Sequence, residues 1–205
     1  MKNENYNIPE PSIEQVLYYL NKWDNLEDYR IQEEALDELY AGNYSTNKDL
    51  KKIIIKCSAL NDFYSTNIFK IYTVAKRILD LDIDERLAKC DATLVNEIAT
   101  VTISNKIKNF YSFASKYCSR HNKNEFPIYD SYVDKVLRYF RKKDKFAKFE
   151  NDDLKNYLRF KEIILEFRKF YHLEQFNLKD LDKFLWLFGK DYFPKKYWFL
   201  HQNTS

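Results

Sequence analysis

The chain has 205 residues with 34 Lys and Arg against 31 Asp and Glu, a length that suits one large domain or two small ones with a sizeable core. Two glycines and four prolines are too few for a fold of many short strands and point to helices joined by polar turns. No apolar run approaches the roughly 20 residues that span a bilayer, and the charged N-terminus is no signal peptide. Cys57, Cys90 and Cys118 are scattered and odd in number, which argues against disulfides or a metal framework and for a reducing cytoplasm.

Residues 1–11, with Pro9 and Pro11, read as an extended lead-in. Ser12 and Gln15 have capping-box spacing for a helix through Trp23, with Ile13, Val16, Leu17 and Leu20 on one face. A second helix is expected over 26–40, turning Ile31, Ala35, Leu36 and Leu39 inward and its run of Glu and Asp outward, with Gly42 stopping it. Asn47 or Thr46 should cap a helix over 49–63 whose Ile53-Ile54-Ile55 run is flanked by lysines at helical spacing. The polar break 61–67 has Asn, Ser and Thr that can cap the next helix, 68–79; Tyr64, Thr66 and Asn67 are also placed to line a pocket there. Short helices follow over 84–89 and 92–100, and 104–109 leads into the central helix, its lysines set to grip a phosphate together with backbone amides.

Residues 110–140 form the centre of the chain. Phe110, Phe113, Ala114 and Tyr117 fall at i, i+3, i+4, i+7 and make one apolar stripe. The loop 121–125 breaks the helix, and Phe126-Pro127 enforces extended backbone. Val133, Val136, Leu137 and Phe140 then resume the helical period, which makes Asp130 an N-cap whose carboxylate accepts from the first-turn amides. A fixed carboxylate at a helix start, beside a loop holding Arg120, His121 and Tyr129, is where the sequence concentrates chemistry. Beyond it come a basic run over 138–148, a long helix over 154–171 capped by Asp152, with apolar Tyr157, Leu158, Ile164, Leu165 and Phe167, and a last helix over 178–188 ended by Gly189. Trp186, Phe193, Tyr197, Trp198 and Phe199 should pack onto the body or make a dimer contact.

Charge is unevenly spread. Residues 1–50 hold four positive against eleven acidic side chains, while 103–148 hold twelve positive against four. A basic half on a nearly neutral chain fits a polyanion, nucleic acid first, and equally fits a solvated helix face. The 17 Tyr and 16 Phe can build both a core and stacking surfaces for bases; codon drift in an AT-rich genome would produce the same excess. Three scattered histidines give no metal-ligand spacing. Cys118 and His121 lack the sharp elbow of a nucleophile, and no glycine-rich phosphate loop is present. A carboxylate beside a basic, aromatic-rich surface remains.

That remainder resembles a known family. PIYDSYVDKV, 127–136, looks like the P-x-D-[TS]-x-V-x-[RK]-V segment of the helix-hairpin-helix DNA glycosylases, in which the aspartate begins a helix and is the catalytic carboxylate. LNDFYSTNIFKIYTVAKRI, 60–78, is similar to the family's L-S-x-Q-T turn and following helix, and 94–108 to its L-x-x-I…N-K-A-K helix pair. Together these cover roughly 50–140. The chain departs from the family in having no glycine between Thr100 and Tyr117, so that Asn105 would have to take the left-handed conformation, and in a shorter path from the Tyr64–Asn67 turn to Asp130. Where lyase members have a lysine about twenty residues before the aspartate, this chain has Tyr111 and Ser112; Lys106 and Lys108 are shifted alternatives.

The resemblance implies a single all-α domain over 1–205, with a glycosylase-like core at 50–140 and C-terminal helices packed on it. It implies a cytoplasmic DNA-repair hydrolase, without cofactor or metal, that flips a damaged or modified base and cleaves its N-glycosidic bond by hydrolysis alone. Asp130 would be catalytic, Tyr64, Asn67, Tyr129 and Tyr132 would line the base pocket, and Lys106, Lys108, Lys116 and Arg120 would contact DNA. The alternatives are a non-catalytic helical nucleic-acid-binding protein using the basic half, and a dimeric interaction module using the C-terminal aromatics.

Overall fold

Side-chain caps decide where several helices begin. In the computed structural model, which describes residues 8–194, Ser12 accepts from the Gln15 amide at 3.3 Å and opens α1 (Ile13–Asp24). α2 (Glu27–Leu39) follows, and Gly42, at φ +51°, starts a 3-10 turn, Gly42–Tyr44, in the left-handed region that glycine enters without strain. Asp49, not Asn47 or Thr46, caps α3 (Leu50–Phe63) by accepting from the Lys51 amide at 2.9 Å. α4 (Ile71–Asp80) starts later than expected and has no side-chain cap. Asn61 uses the polar break differently: its Oδ1 accepts from the Ile68 amide at 2.8 Å and from Thr66 at 2.7 Å, closing the turn from α3. α5 (Asp84–Ala88) and α6 (Thr93–Ala99) complete the first half.

Residues 100–109 correct the all-helical expectation. They form an antiparallel hairpin, β1 (Thr100–Ile103) paired with β2 (Lys106–Asn109), so Lys106 and Lys108 lie on a strand and not at a helix start. Ser104 and Asn105 turn it with φ of 49° and 58°, the double positive-φ turn that matches strand twist and that asparagine tolerates better than most residues. Asn105 thus does take the left-handed conformation.

α7 (Tyr111–His121) and α8 (Ser131–Asp144) flank the extended 122–130 segment. Asp152 does not cap the next long helix. Glu150 and Asp153 form a capping box on a 3-10 turn, Asn151–Lys155, after which Asn156 caps α9 (Tyr157–Phe170). Asn177 and Asp180 make a second capping box for α10 (Leu178–Tyr192). α10 runs through Gly189 instead of ending there. Gly189 lies where α10 crosses α8, and a Cβ on it would be 2.6 Å from the Cβ of Tyr132.

The core is built from α1 on α10, α10 on α8, α3 with α4 and α7, and α6 with α7 and α9. Aromatic rings dominate its middle, with Phe140 meeting Phe167, Tyr171 and Phe188. Three faces are rotated from the expected ones. α1 buries Val16 and Tyr19 and leaves Ile13 and Leu17 exposed, because the Tyr19 ring packs on Phe184 and Phe188 while its hydroxyl donates to Asp191 at 3.0 Å. α2 buries Leu36 but exposes Ile31 and Ala35. α9 likewise leaves Leu158 exposed and buries Phe160 and Ile163.

Asn47, freed from capping, is buried at the centre of a polar cluster. Its side chain donates to Asp84 at 2.7 Å and accepts from Lys56 at 2.7 Å and from Tyr117 at 2.5 Å. His121 sits 3.4 Å from both Asn47 and Lys56. Burial first, and Lys56 second, hold the His121 imidazole down at about 3, so it stays neutral. Among the described residues no helix is long and apolar enough to cross a membrane, and no group of three or more His, Cys, Asp or Glu side chains is placed to hold a metal ion. Tyr197, Trp198 and Phe199 lie outside the described residues.

Candidate functional site

The proline at 127 keeps 126–130 extended, and side chains of α7, α9 and α10 hold the backbone of Pro127, Ile128 and Tyr129 in that strap. Tyr157 on α9 donates to the Pro127 carbonyl at 2.7 Å. Both carboxylate oxygens of Asp182 on α10 accept from the Ile128 amide, at 3.0 and 3.1 Å. Ser115 on α7 accepts from the Tyr129 amide at 3.1 Å, and Lys116 donates to the Tyr129 carbonyl at 3.4 Å. The strap delivers Asp130, in extended backbone at φ −140°, to the start of α8, where its Oδ1 accepts from the Tyr132 amide at 2.9 Å. A cap of this kind contributes about 1 kcal/mol; here it also fixes where the second oxygen points.

Asp130 lines a cleft of about 430 Å³ between α2, α7, α8 and α10. Oδ2 lies 3.7 Å from the Lys116 ammonium, whose side chain is 4 % exposed and which also donates to Ser112 at 2.6 Å. Burial lowers the Lys116 pKa, with Asp130 and Tyr64 opposing that shift. The Tyr64 ring stands 5.3 Å from the Lys116 nitrogen and 5.6 Å from the Arg120 guanidinium, and its hydroxyl accepts from Arg120. Tyr132 lines the opposite side of Asp130, with Lys135 over its ring at 5.6 Å.

Of the nine site residues expected from sequence, Asp130, Tyr64, Tyr132, Lys116 and Arg120 thus converge on one cleft. The others lie elsewhere. Tyr129 is buried in the core, its ring 4.8 Å from Tyr111 and 5.5 Å from Phe160, and its hydroxyl donates to Asp134 at 2.8 Å. Asn67 is an exposed turn residue at φ 57°, donating to the Ser65 carbonyl. Lys106 and Lys108 are exposed on β2. Of the three lysines singled out from the sequence, Lys116 is the one that lines the cleft, and for it the sequence suggests a phosphate-contact role. The twelve cations of 103–148 do not form one face: Lys116 and Arg120 are buried in the cleft, Arg138 pairs with Asp134 at 2.7 Å, and Arg141 donates to the Phe149 carbonyl at 2.5 Å.

The far wall of the cleft is not visible in the sequence. Glu33, expected to face outward on α2, points inward with its side chain 11 % exposed and pairs with Lys179 at 2.6 Å, Lys183 at 3.4 Å and Arg120 at 3.6 Å. Burial works to raise its pKa, but Lys179, Lys183 and Arg120 prevail and hold it at about 2. Asp182 behaves oppositely: burial pushes it up to about 7 against the pull of Lys179, the Ile128 amide, Lys116 and Arg120. Trp23, Tyr29 and Trp186 close the wall, with ring centroids 5.1 to 6.0 Å apart, and Lys190 lies over Trp186 at 4.3 Å. Five cationic side chains against three carboxyls line the cleft, a balance that favours an anionic ligand. These groups come from α1, α2 and α10, so only the three-dimensional crossing of those helices assembles them.

Comparison with known proteins adds relatives. A family model, HI_0787_N, described as an N-terminal domain, matches residues 15–125, just over half of the chain. The match includes Glu33, Tyr64, Lys116 and Arg120 and ends before Asp130. A Haemophilus influenzae protein described as uncharacterized is 57 % identical over 136 residues, which cover 66 % of this chain and 65 % of the relative. The chain therefore spans slightly less than two thirds of the relative that it matches. No solved structure matches the chain.

Proposed function

The chain belongs to the HI_0787_N family, and we propose that it is an enzyme like the helix-hairpin-helix DNA glycosylases, flipping a damaged or modified base into the cleft and breaking its N-glycosidic bond. The observation that carries this reading is the Asp130 carboxylate, capped on one oxygen and facing the cleft with the other, 3.7 Å from a buried lysine amine. Breaking the bond builds positive charge on the sugar. A carboxylate already fixed beside that position stabilises the transition state without reorganising. The base must leave the stack at a cost of a few kcal/mol, which the aromatic and cationic walls of the cleft offset.

Lys116 changes one part of the expectation from sequence. A buried lysine with a lowered pKa beside a carboxylate has the character of an amine nucleophile, so we assign it the attack on C1′ and set aside hydrolysis alone. Once the Lys116 ammonium has given a proton to solvent, the amine's lone pair forms the new N–C1′ bond, the base departs with the electrons of the N-glycosidic bond and takes a proton from solvent, and Asp130 receives the proton that the new ammonium sheds. Ring opening then gives a Schiff base that water can hydrolyse.

The test is base release from a panel of damaged and modified DNA by wild type, Asp130→Asn and Lys116→Gln, with borohydride added to trap any Schiff base. Release by wild type, its loss in folded Asp130→Asn that still binds DNA, and an adduct absent from Lys116→Gln are the expected results. Release without a trapped adduct would return the nucleophile to water and leave Asp130 in place. Equal release by wild type and Asp130→Asn would refute the assignment of the carboxylate, and no release across the panel, with DNA still bound, would leave a binding module.

A further inference from the structure

A second groove lies on the surface between α4 and the hairpin, with a volume of about 410 Å³, lined by Tyr72, Thr73, Lys76 and Arg77 on one side and by Thr100, Val101 and Thr102 on the other. Three large apolar side chains on α4, just before it and on the hairpin are exposed, and of these Tyr72 lines the groove. Tyr72 is 62 % exposed; Phe69, three residues earlier, is 92 % exposed; Ile107, paired across the hairpin with Thr102, is 76 % exposed. Holding a phenylalanine almost wholly in water gives up the burial that it would gain in a core, and single exposed apolar residues are ordinary. The two elements that form the groove, and the residue before α4, also carry exposed cations. Lys70, Lys106 and Lys108 are exposed, and among the described residues no carboxylate pairs with them. Lys76 and Arg77 line the groove itself, where Asp80, bound to Lys76, is the acidic member.

We infer that the exposed surface of α4 and the hairpin, this groove included, binds unpaired nucleotides of the strand whose target base occupies the cleft, with bases stacking on Phe69 and Tyr72 and phosphates meeting Lys70, Lys106 and Lys108. The inference rests on the nucleic-acid reading of the cleft and extends it to the form of the substrate. Exposed rings interleaved with lysines suit single strands, because every base has a face to stack and every nucleotide carries a charge. A fully paired duplex offers phosphates but keeps its base faces covered. Phe69 is also within reach of the cleft: Ser65 lines the cleft, and the four residues from Ser65 to Phe69 span at most about 14 Å, or roughly four base steps at 3.4 Å each.

Binding should be measured in the Asp130→Asn background with a labelled oligonucleotide presented as a single strand, as a gapped duplex and as a fully paired duplex. Phe69→Ala and Tyr72→Ala, both at surface positions, are each expected to weaken the single-stranded and gapped probes about tenfold and to leave the paired duplex unchanged. Lys106→Gln with Lys108→Gln should make single-strand affinity less salt-dependent, by about 0.7 in the log–log slope for each phosphate that is no longer neutralised. Equal losses on all three probes, or none on any, would overturn the inference. So would a solution mass without DNA that exceeds one chain and falls in Phe69→Ala, which would assign the surface to a second copy. Base release, measured separately in an Asp130-intact background, keeps the two readings apart. Release that is indifferent to Phe69 and Tyr72 on gapped DNA removes the groove and spares the cleft. Ring-dependent single-strand binding by a protein that releases no base does the reverse.

Discussion

Gly189→Ala sets two effects of opposite sign against each other. In the interior of α10 the added methyl should favour the helix by about 0.5–1 kcal/mol, since glycine loses more backbone freedom on folding than alanine. Against this, the new Cβ would lie 2.6 Å from the Tyr132 Cβ, 3.0 Å from its carbonyl oxygen and 3.1 Å from its carbonyl carbon. Ordinary carbon contacts begin near 3.5 Å, so α8 and α10 must separate locally by about 1 Å. Two of the three blocking atoms are backbone, and no rotamer change removes them. Overpacking of this kind costs about 1–3 kcal/mol and outweighs the helical gain. The net loss is then about 0–2.5 kcal/mol, and with about 2–4 °C lost per kcal/mol in a chain of this size the midpoint of thermal unfolding should fall by up to about 10 °C. Tyr132 is two residues from Asp130, so the displacement also moves the carboxylate relative to Lys116, and a 1 Å misplacement can cost about a hundredfold in rate. Calorimetry gives the first effect and base release the second. A variant more stable than wild type by the full helical gain would refute the close crossing of α8 and α10.

Glu33→Gln should destabilise by about 3 kcal/mol, from the difference between a carboxyl held at about 2 and its ordinary 4.5 at 1.36 kcal/mol per pH unit; urea unfolding at pH 7 that shows a loss under 1 kcal/mol would mean that water already screens the four neighbouring cations. The His121 imidazole is held at about 3 while the unfolded chain takes up a proton near 6.5, so stability is full above pH 6.5 and falls as pH drops from there toward 3. Between pH 6.5 and 4.5 the His121 contribution should fall by about 2 kcal/mol, read as the difference in slope between wild type and His121→Gln, since Asp182 and Glu33 titrate alike in both; equal slopes would refute it. Asp182 has the opposite sign: its pKa is raised from 3.8 to about 7, so its contribution is complete below pH 3.8 and lost as pH rises through 7. Asp182→Asn, which keeps an acceptor for the Ile128 amide, should therefore be more stable than wild type at pH 8 and lose that advantage by pH 4, and equal curves at both pH values would refute the buried carboxyl.

What can be read from the sequence is local. Asp130, the break at Phe126-Pro127 and the inward face of α8 follow from a cap, a proline restriction and a helical period, each written within about ten residues, and all three are present. The hairpin escapes a local reading because its turn uses Ser104 and Asn105 in place of glycine, and four-residue strands leave little alternation to see. Asp152 competes with Asn156 as a cap because the chain has capping residues at 150, 152, 153 and 156, and the intervening 3-10 turn uses two of them. Gly189 reads as a stop because the reason for a glycine there is Tyr132, which lies on another helix.

Charge is where local reading misleads most. By default a helix turns its carboxylates to water, and α2 has an acidic outer face on that ground. Glu33 and Asp37 instead meet Arg120 and Lys123 on and just after α7, and Glu33 also meets Lys179 and Lys183 on α10. The acidic first quarter and the basic remainder are therefore partly complementary within the fold. Much of the imbalance that suggests a polyanion-binding face holds helices together, and each buried cation that Glu33 neutralises is unavailable to a phosphate. The case for a nucleic-acid substrate then cannot rest on the total charge of 103–148. It rests on the cations that remain exposed, at β2 and the start of α4, and on the Asp130 carboxylate, which α8 caps on one side and the cleft leaves accessible on the other.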